Sequence, residues 1–237
     1  DMFVVAAEAG LTGVLVPRSQ GGTEARHVVA ARVLEELSSA CLATTFGLWV
    51  HNNVANAIAR QGTSAQTKRL GASLLSGQRI GAYCLTEPDA GSDAAAITTH
   101  ASKVDSGWKI TGEKAWVSNG THADVLIVYA QTDTSAGWRG IGTFLVDASG
   151  DGVTRTPPYD MLGGHALGVS GLRFNDCLVP DEDVLLGPGD GFKAAMNGID
   201  KARMFVAAMC CGILDASLSS ALSQVAGRRA FGQPVLS

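Results

Sequence analysis

The stretch best suited to chemistry is Tyr83-Cys84-Leu85-Thr86-Glu87-Pro88-Asp89-Ala90-Gly91-Ser92-Asp93, where an apolar strand runs straight into small, hydroxyl-bearing and acidic residues. Thr86 and Ser92 bring hydroxyl donors, Gly91 lets backbone approach a ligand closely, and Pro88 keeps Glu87 extended. Pro-Asp-Ala-Gly alone reads better as an ordinary turn after a strand. A second element follows, spaced as the next hairpin would be: Thr111-Gly112-Glu113-Lys114-Ala115-Trp116-Val117-Ser118-Asn119-Gly120. Strand alternation puts Trp116 and Ser118 on one face, so an indole and a hydroxyl project together. A planar polar cofactor suits that pair, its ring stacked on one and hydrogen-bonded to the other. A lone strand tryptophan is ordinarily a core aromatic; Ser118 and the preceding loop favour the cofactor wall.

Together the two segments resemble the signature of the acyl-CoA dehydrogenase family, flavoproteins that remove hydrogens from carbons two and three of acyl thioesters. The resemblance spans nearly the whole chain, from Gly10-Leu-Thr-Gly-Val-Leu-Val-Pro17 and Gly21-Gly22 to Arg228-Arg-Ala-Phe-Gly232. It implies FAD as cofactor, with Tyr83, Leu85 and Thr86 along the ring edge, Gly91 and Ser92 at the loop, and Trp116 and Ser118 against the isoalloxazine. Arg228 and Phe231 match a segment that reaches the FAD of a neighbouring subunit, the arginine suiting pyrophosphate oxygens and Phe231 the adenine side. Arg228 and Arg229 also read as cations stabilising a helix C-terminus. Asp200 and Arg203 match a carboxylate and an arginine facing the acyl-thioester pocket, and Ser92 would also touch the pantetheine arm. The same two residues are spaced as a surface i,i+3 ion pair. The implied partners are an acyl-CoA or acyl-carrier-protein thioester, an electron-transfer flavoprotein or similar acceptor, and further copies of the chain in a homotetramer. The implied setting is fatty acid metabolism.

The chain departs from the family pattern at two places. Some members carry a glutamate where this sequence has Ala202, and others carry it late in a C-terminal helical bundle; alanine cannot take a proton, so no general base is assigned here. In Gly163-Gly-His-Ala-Leu-Gly-Val-Ser170, Leu167 and Val169 stand where many members have polar residues near CoA, pointing to an unusual substrate or a protein carrier. His165 in that loop reads as a solvated or structural side chain. A flavin-dependent monooxygenase on the same scaffold, or a non-catalytic partner subunit, are the competing readings. Because the resemblance covers the family shortened at both ends, the chain alone is expected to be inactive and to bind FAD poorly.

Around these residues the elements fall into an α+β organisation. Apolar residues recur at helical steps up to about Ser76, strands occupy the middle, and the helical period returns from Gly191. The expected domains are 1–78, an incomplete N-terminal helical domain; 79–186, an antiparallel β-barrel; and 187–237, the start of a C-terminal helical bundle. Strands are expected at about 80–87, 95–103, 107–111, 114–118, 124–131, 141–147, 152–156 and 169–176, with a tight turn at Thr111–Lys114. Val125-Leu-Ile-Val-Tyr-Ala130 reads as a strand buried on both faces.

The 237 residues, 46% of them hydrophobic, can bury a sizeable core, and a net charge of −4 without a basic cluster disfavours nucleic acid. No uninterrupted apolar run approaches the roughly 20 residues that span a bilayer, and the N-terminus lacks a basic-then-apolar leader pattern. A cytoplasmic protein without membrane contact is therefore expected. Five cysteines lack any Cys-x-x-Cys pair and read as small core residues, and the five scattered histidines suggest no metal.

Overall fold

A computed structural model describes residues 2–236. The N-terminal third folds as α1 (Met2–Glu8), α2 (His27–Ala40), α3 (Leu42–Gln61) and α4 (Ser64–Leu75). Helix α4 starts in a reciprocal capping box: the Gln66 N–H donates to Thr63 Oγ1 at 3.2 Å, and the Thr63 N–H donates to Gln66 Oε1 at 2.8 Å. The Gln66 amide then donates to the carbonyls of Glu182 and Val184. One residue thus begins a helix and ties it to the far end of the next domain.

That domain is a mixed sheet of β1 (Gly81–Cys84), β2 (His100–Val104), β3 (Gly107–Val117), β4 (Val125–Gln131), β5 (Ile141–Asp147), β6 (Val153–Arg155), β7 (Ser170–Val179) and β8 (Val184–Leu186). Its order is β6-β7-β3-β2-β4-β5-β8, with β1 paired to β4. Strand β4 is buried at every position. Val125, Ile127 and Tyr129 pack with Val54, Ile58, Leu70 and Leu74 of α3 and α4. Leu126, Val128 and Ala130 pack with Phe144, Leu172 and Phe174 inside the sheet layers. The continuous apolar run is explained by these two cores, one on each face.

The α+β architecture is the expected one, but the sheet does not close into an antiparallel barrel. It ends on β6 and β8, and β1 runs parallel to β4, as does β2 at its single His100–Gln131 pair. Helices, not further strands, cover the outer face of β4 and β5. Nor is Thr111–Lys114 a tight turn: β3 runs through it, with Gly112 at φ 149 and its backbone so close to Thr99 that a Cβ would collide. Turn and close approach ask for the same residue, which is why the sequence pattern misled. The expected strand at 95–103 begins later, at His100, after a short 3-10 turn at Ala94–Ala96.

Buried polar groups join the helical domain to the sheet. The Gly81 N–H donates to His51 Nδ1 at 3.1 Å, so Nε2 carries the proton and donates to the Leu74 carbonyl at 3.0 Å. The Asn119 amide, on a residue at φ 61, donates to the carbonyls of Gly47 and Gly81. Burial lowers the His51 pKa from 6.5 to about 4, opposed by the Leu74 carbonyl.

Helix α5 (Asp190–Ala226) is a single helix of 37 residues. By length and composition alone it could cross a bilayer, which the absence of an uninterrupted apolar run did not foresee. Its middle is docked on protein: Phe205 and Met209 pack with Trp49 and Leu34, and Gly212 lies against the Glu35 carbonyl where any side chain would collide. A hairpin of β9 (Arg229–Ala230) and β10 (Gln233–Pro234) follows. Only Cys84 and Cys177 are core cysteines; Cys41, Cys210 and Cys211 are exposed, against expectation.

Candidate functional site

A cavity of about 810 Å³ opens between α3, α5 and the sheet, within the range of ordinary cofactor and substrate sites. The sheet contributes Tyr83, Trp116, Ser118 and Tyr129. Helix α3 contributes Phe46, Trp49, Val50, Asn53 and Ala57, the three- and four-residue steps of one helix face. Helix α5 contributes Ala202, Phe205 and Val206.

Trp116 is the most unusual wall residue. It has φ 57 and sits in a bulge, because β3 pairs Lys114 with Leu172 and then Val117 with Ser170, leaving one extra residue on β3. A left-handed aromatic residue is strained, and such strain persists only where neighbours hold it. The result is an indole 56% exposed, 4.3 Å from the Tyr159 ring at 34°. Tyr83 and Tyr129 share a hydroxyl–hydroxyl hydrogen bond, and burial pushes both phenol pKa values up, so both stay neutral.

Beneath this wall lies a buried ion pair that sequence reasoning missed. Lys114 Nζ is 2.8 Å from Glu87 Oε1 and donates to the Leu85 carbonyl at 3.0 Å. Burial alone would raise the Glu87 pKa, but the ammonium and hydrogen bonds from Thr98 and Thr99 outweigh it and hold it at about 2. Burial lowers the Lys114 pKa, with the Glu87 carboxylate opposing. The signal was available: plain alternation from Ile110 puts Lys114 on the same, core-facing side of β3.

Of the residues singled out from sequence, Tyr83, Trp116 and Ser118 meet on the cavity wall. The Leu85 side chain is in the core with Val54 and Ile127 rather than at a ring edge. Half-buried Thr86 accepts from the Ala115 N–H at 2.9 Å, which sets its loop beside β3; Gly91 and Ser92 are exposed on that loop and do not line the cavity. Asp200 and Arg203 do not face the pocket either. Their side chains are 76% and 78% exposed and 3.9 Å apart, because the cavity-facing positions of α5 are Ile199, Ala202 and Phe205. Arg228 lies just past α5 and Phe231 protrudes fully exposed from the hairpin, both away from the cavity lining. Val169 is buried and Leu167 packs beside Gly47, so both serve packing. His165 is exposed. Among the described residues the one carboxylate lining the cavity is Asp190.

Comparison with known proteins places this geometry. Residues 1–78 match the acyl-CoA dehydrogenase N-terminal domain, residues 82–177 the middle domain, and residues 189–237 the C-terminal domain. The chain belongs to the acyl-CoA dehydrogenase family. It is 34% identical over 236 residues to the mitochondrial isovaleryl-CoA dehydrogenase of Arabidopsis thaliana, covering 99% of this chain and 58% of that protein. Among solved structures, butyryl-CoA dehydrogenase from Megasphaera elsdenii superposes with a TM-score of 0.92 at 34% identity, covering 98% of this chain and 62% of that one. A glutaryl-CoA dehydrogenase from Mycobacterium smegmatis in complex with FADH2 gives 0.91 at 27% identity, over 98% and 59%. The chain thus spans about three-fifths of the length of these relatives.

Proposed function

We propose that the protein works as an FAD-dependent acyl-CoA dehydrogenase on short or branched acyl thioesters. The observation that carries this is the cavity wall on which Tyr83, Trp116 and Ser118 converge. The residues present suit the cofactor: an exposed indole offers a stacking surface and the Ser118 hydroxyl a hydrogen-bond donor for a flat heteroaromatic ring. FAD, when bound, supplies the hydride acceptor for the β-hydrogen. The polypeptide's part is to hold the acyl group in line and to exclude water.

The far wall supports the size preference. Trp49 and Phe205 rings lie 4.2 Å apart and Phe46 joins them on the lining, an aromatic wall suited to packing against a compact acyl group. The names of the relatives, isovaleryl- and butyryl-CoA dehydrogenases, point the same way. Ala202 faces the cavity and cannot accept the α-proton, so on this reading another residue of the whole enzyme is the base. An electron-transfer flavoprotein or similar acceptor would reoxidise the flavin, and the whole protein would assemble as a homotetramer. Anaerobic mixing of the whole flavoprotein with isovaleryl-, butyryl- and palmitoyl-CoA tests the reading. The first two are expected to bleach the oxidised flavin band and palmitoyl-CoA to leave it; no bleaching by any acyl-CoA would refute the activity.

A further inference from the structure

Lys114 and Glu87 form the most deeply buried ion pair among the described residues, with side chains 0% and 4% exposed. The carboxylate is fully used. Oε1 takes Lys114 at 2.8 Å and the Thr99 N–H at 2.9 Å; Oε2 takes the Thr98 N–H at 2.7 Å and its hydroxyl at 2.8 Å. A buried ion pair adds little net stability over a well-packed apolar replacement, so stability alone does not account for charge here. What the pair does supply is register. It fastens three backbone segments to one another: Leu85–Glu87 at the end of β1, Thr98–Thr99 before β2, and β3 at Lys114.

Two residues beyond Lys114, β3 bulges and Trp116 takes its left-handed conformation. On the near side the strand is anchored by the ammonium and by the Ala115 N–H on the Thr86 carbonyl. On the far side Asn119 is anchored to Gly47 and Gly81. The extra residue between these fixed points has to leave the sheet plane, and its side chain turns out toward the cavity.

We infer that Lys114 and Glu87 are positioning residues: they hold β3 against the Leu85–Glu87 segment and so fix the Trp116 indole as the cofactor-facing wall. The cofactor part of this rests on the flavin reading above; the effect on Trp116 does not. The whole chain carrying 5-fluorotryptophan, without cofactor, tests the latter by fluorine NMR, with the Trp116 signal assigned by Trp116→Phe. Two variants are compared with wild type. Lys114→Met with Glu87→Gln removes both charges together and avoids stranding one of them. Thr98→Val removes, at an exposed position, one of the four donors that orient the Glu87 carboxylate, and so loosens its grip on Lys114 while leaving the fold in place. The Trp116 signal is expected to move in both variants, further in the double, while those of Trp49, Trp108 and Trp138 stay. An unmoved Trp116 signal in the folded double variant overturns the inference; if the double variant does not fold, an unmoved signal in Thr98→Val does so.

FAD titration then separates the two claims. Losing one positioning hydrogen bond is expected to raise the FAD dissociation constant about tenfold in the double variant. Unchanged affinity, with wild type binding normally, would overturn the cofactor role of the pair. A wild type that binds no FAD would count against the flavin reading, and the fluorine spectra would still decide whether the pair sets Trp116.

Discussion

The cavity wall and the end of the chain both carry residues that match the family pattern, yet the chain treats them differently. At the wall, Lys114, Glu87, Thr98, Thr99 and Asn119 bond one another and the backbone, and all but Thr98 are buried. Along the last turns of α5 and the hairpin, Leu214, Leu218 and Leu222 are 68%, 60% and 47% exposed, and Phe231 fully so. A motif residue therefore has a geometry set by this chain only where its neighbours over-determine it. Trp116 meets that condition; Arg228 and Phe231 do not.

The largest expected effect breaks the comparison at its strong end. Lys114→Met leaves the Glu87 carboxylate buried without its counter-ion, a loss of about 3–5 kcal/mol by urea unfolding. Phe231→Ala at the weak end is expected to fall within about 0.5 kcal/mol of wild type. Similar costs for the two would erase the distinction.

A second break comes from pH. The folded pKa of His51, about 4, lies below its ordinary 6.5, so the unfolded chain binds the proton more readily. Stability from His51 is full above 6.5 and drains as pH falls to about 4, at most by about 3 kcal/mol. Glu87 acts lower: its contribution is full above 4.5 and is lost toward about 2. Urea midpoints between pH 7 and 4 should therefore decline, and His51→Gln should flatten that slope. A midpoint independent of pH over that window would remove His51 as a tie between α3 and β1.

The smallest expected effect concerns the surface of α5. Asp200→Asn should change stability by less than about 0.5 kcal/mol, since the Arg203 pair is long and solvated. A cost above about 1 kcal/mol would mean that Asp200 does more than its exposure shows.

Much of this was legible in the sequence. Period-3.6 and period-2 patterns gave the succession of helices and strands, and the unbroken run at Val125–Ala130 announced a strand with a core on each face. Alternation brought Trp116 and Ser118 together correctly, although a bulge, not plain alternation, turns the indole outward. Less legible was anything that depends on partners distant in sequence. Gly112 looked like a turn because only its packing on Thr99 distinguishes a close approach from a bend. Glu87 looked like a loop acid because its four donors come from Thr98, Thr99 and Lys114. Barrel closure could not be read from strand count, since what lies against β4 and β5 is helix. Asp200 and Arg203 were placed by motif, and the phase of α5 turned them outward.

The central claim is that the wall at Trp116 holds the flavin. Its most direct test is FAD titration of the whole protein and its Trp116→Ala variant, followed by the visible flavin band. The wild type is expected to bind FAD with a perturbed spectrum and Trp116→Ala to bind more weakly, with a band closer to that of free flavin. Equal affinity and an identical bound spectrum in the two proteins would contradict the assignment.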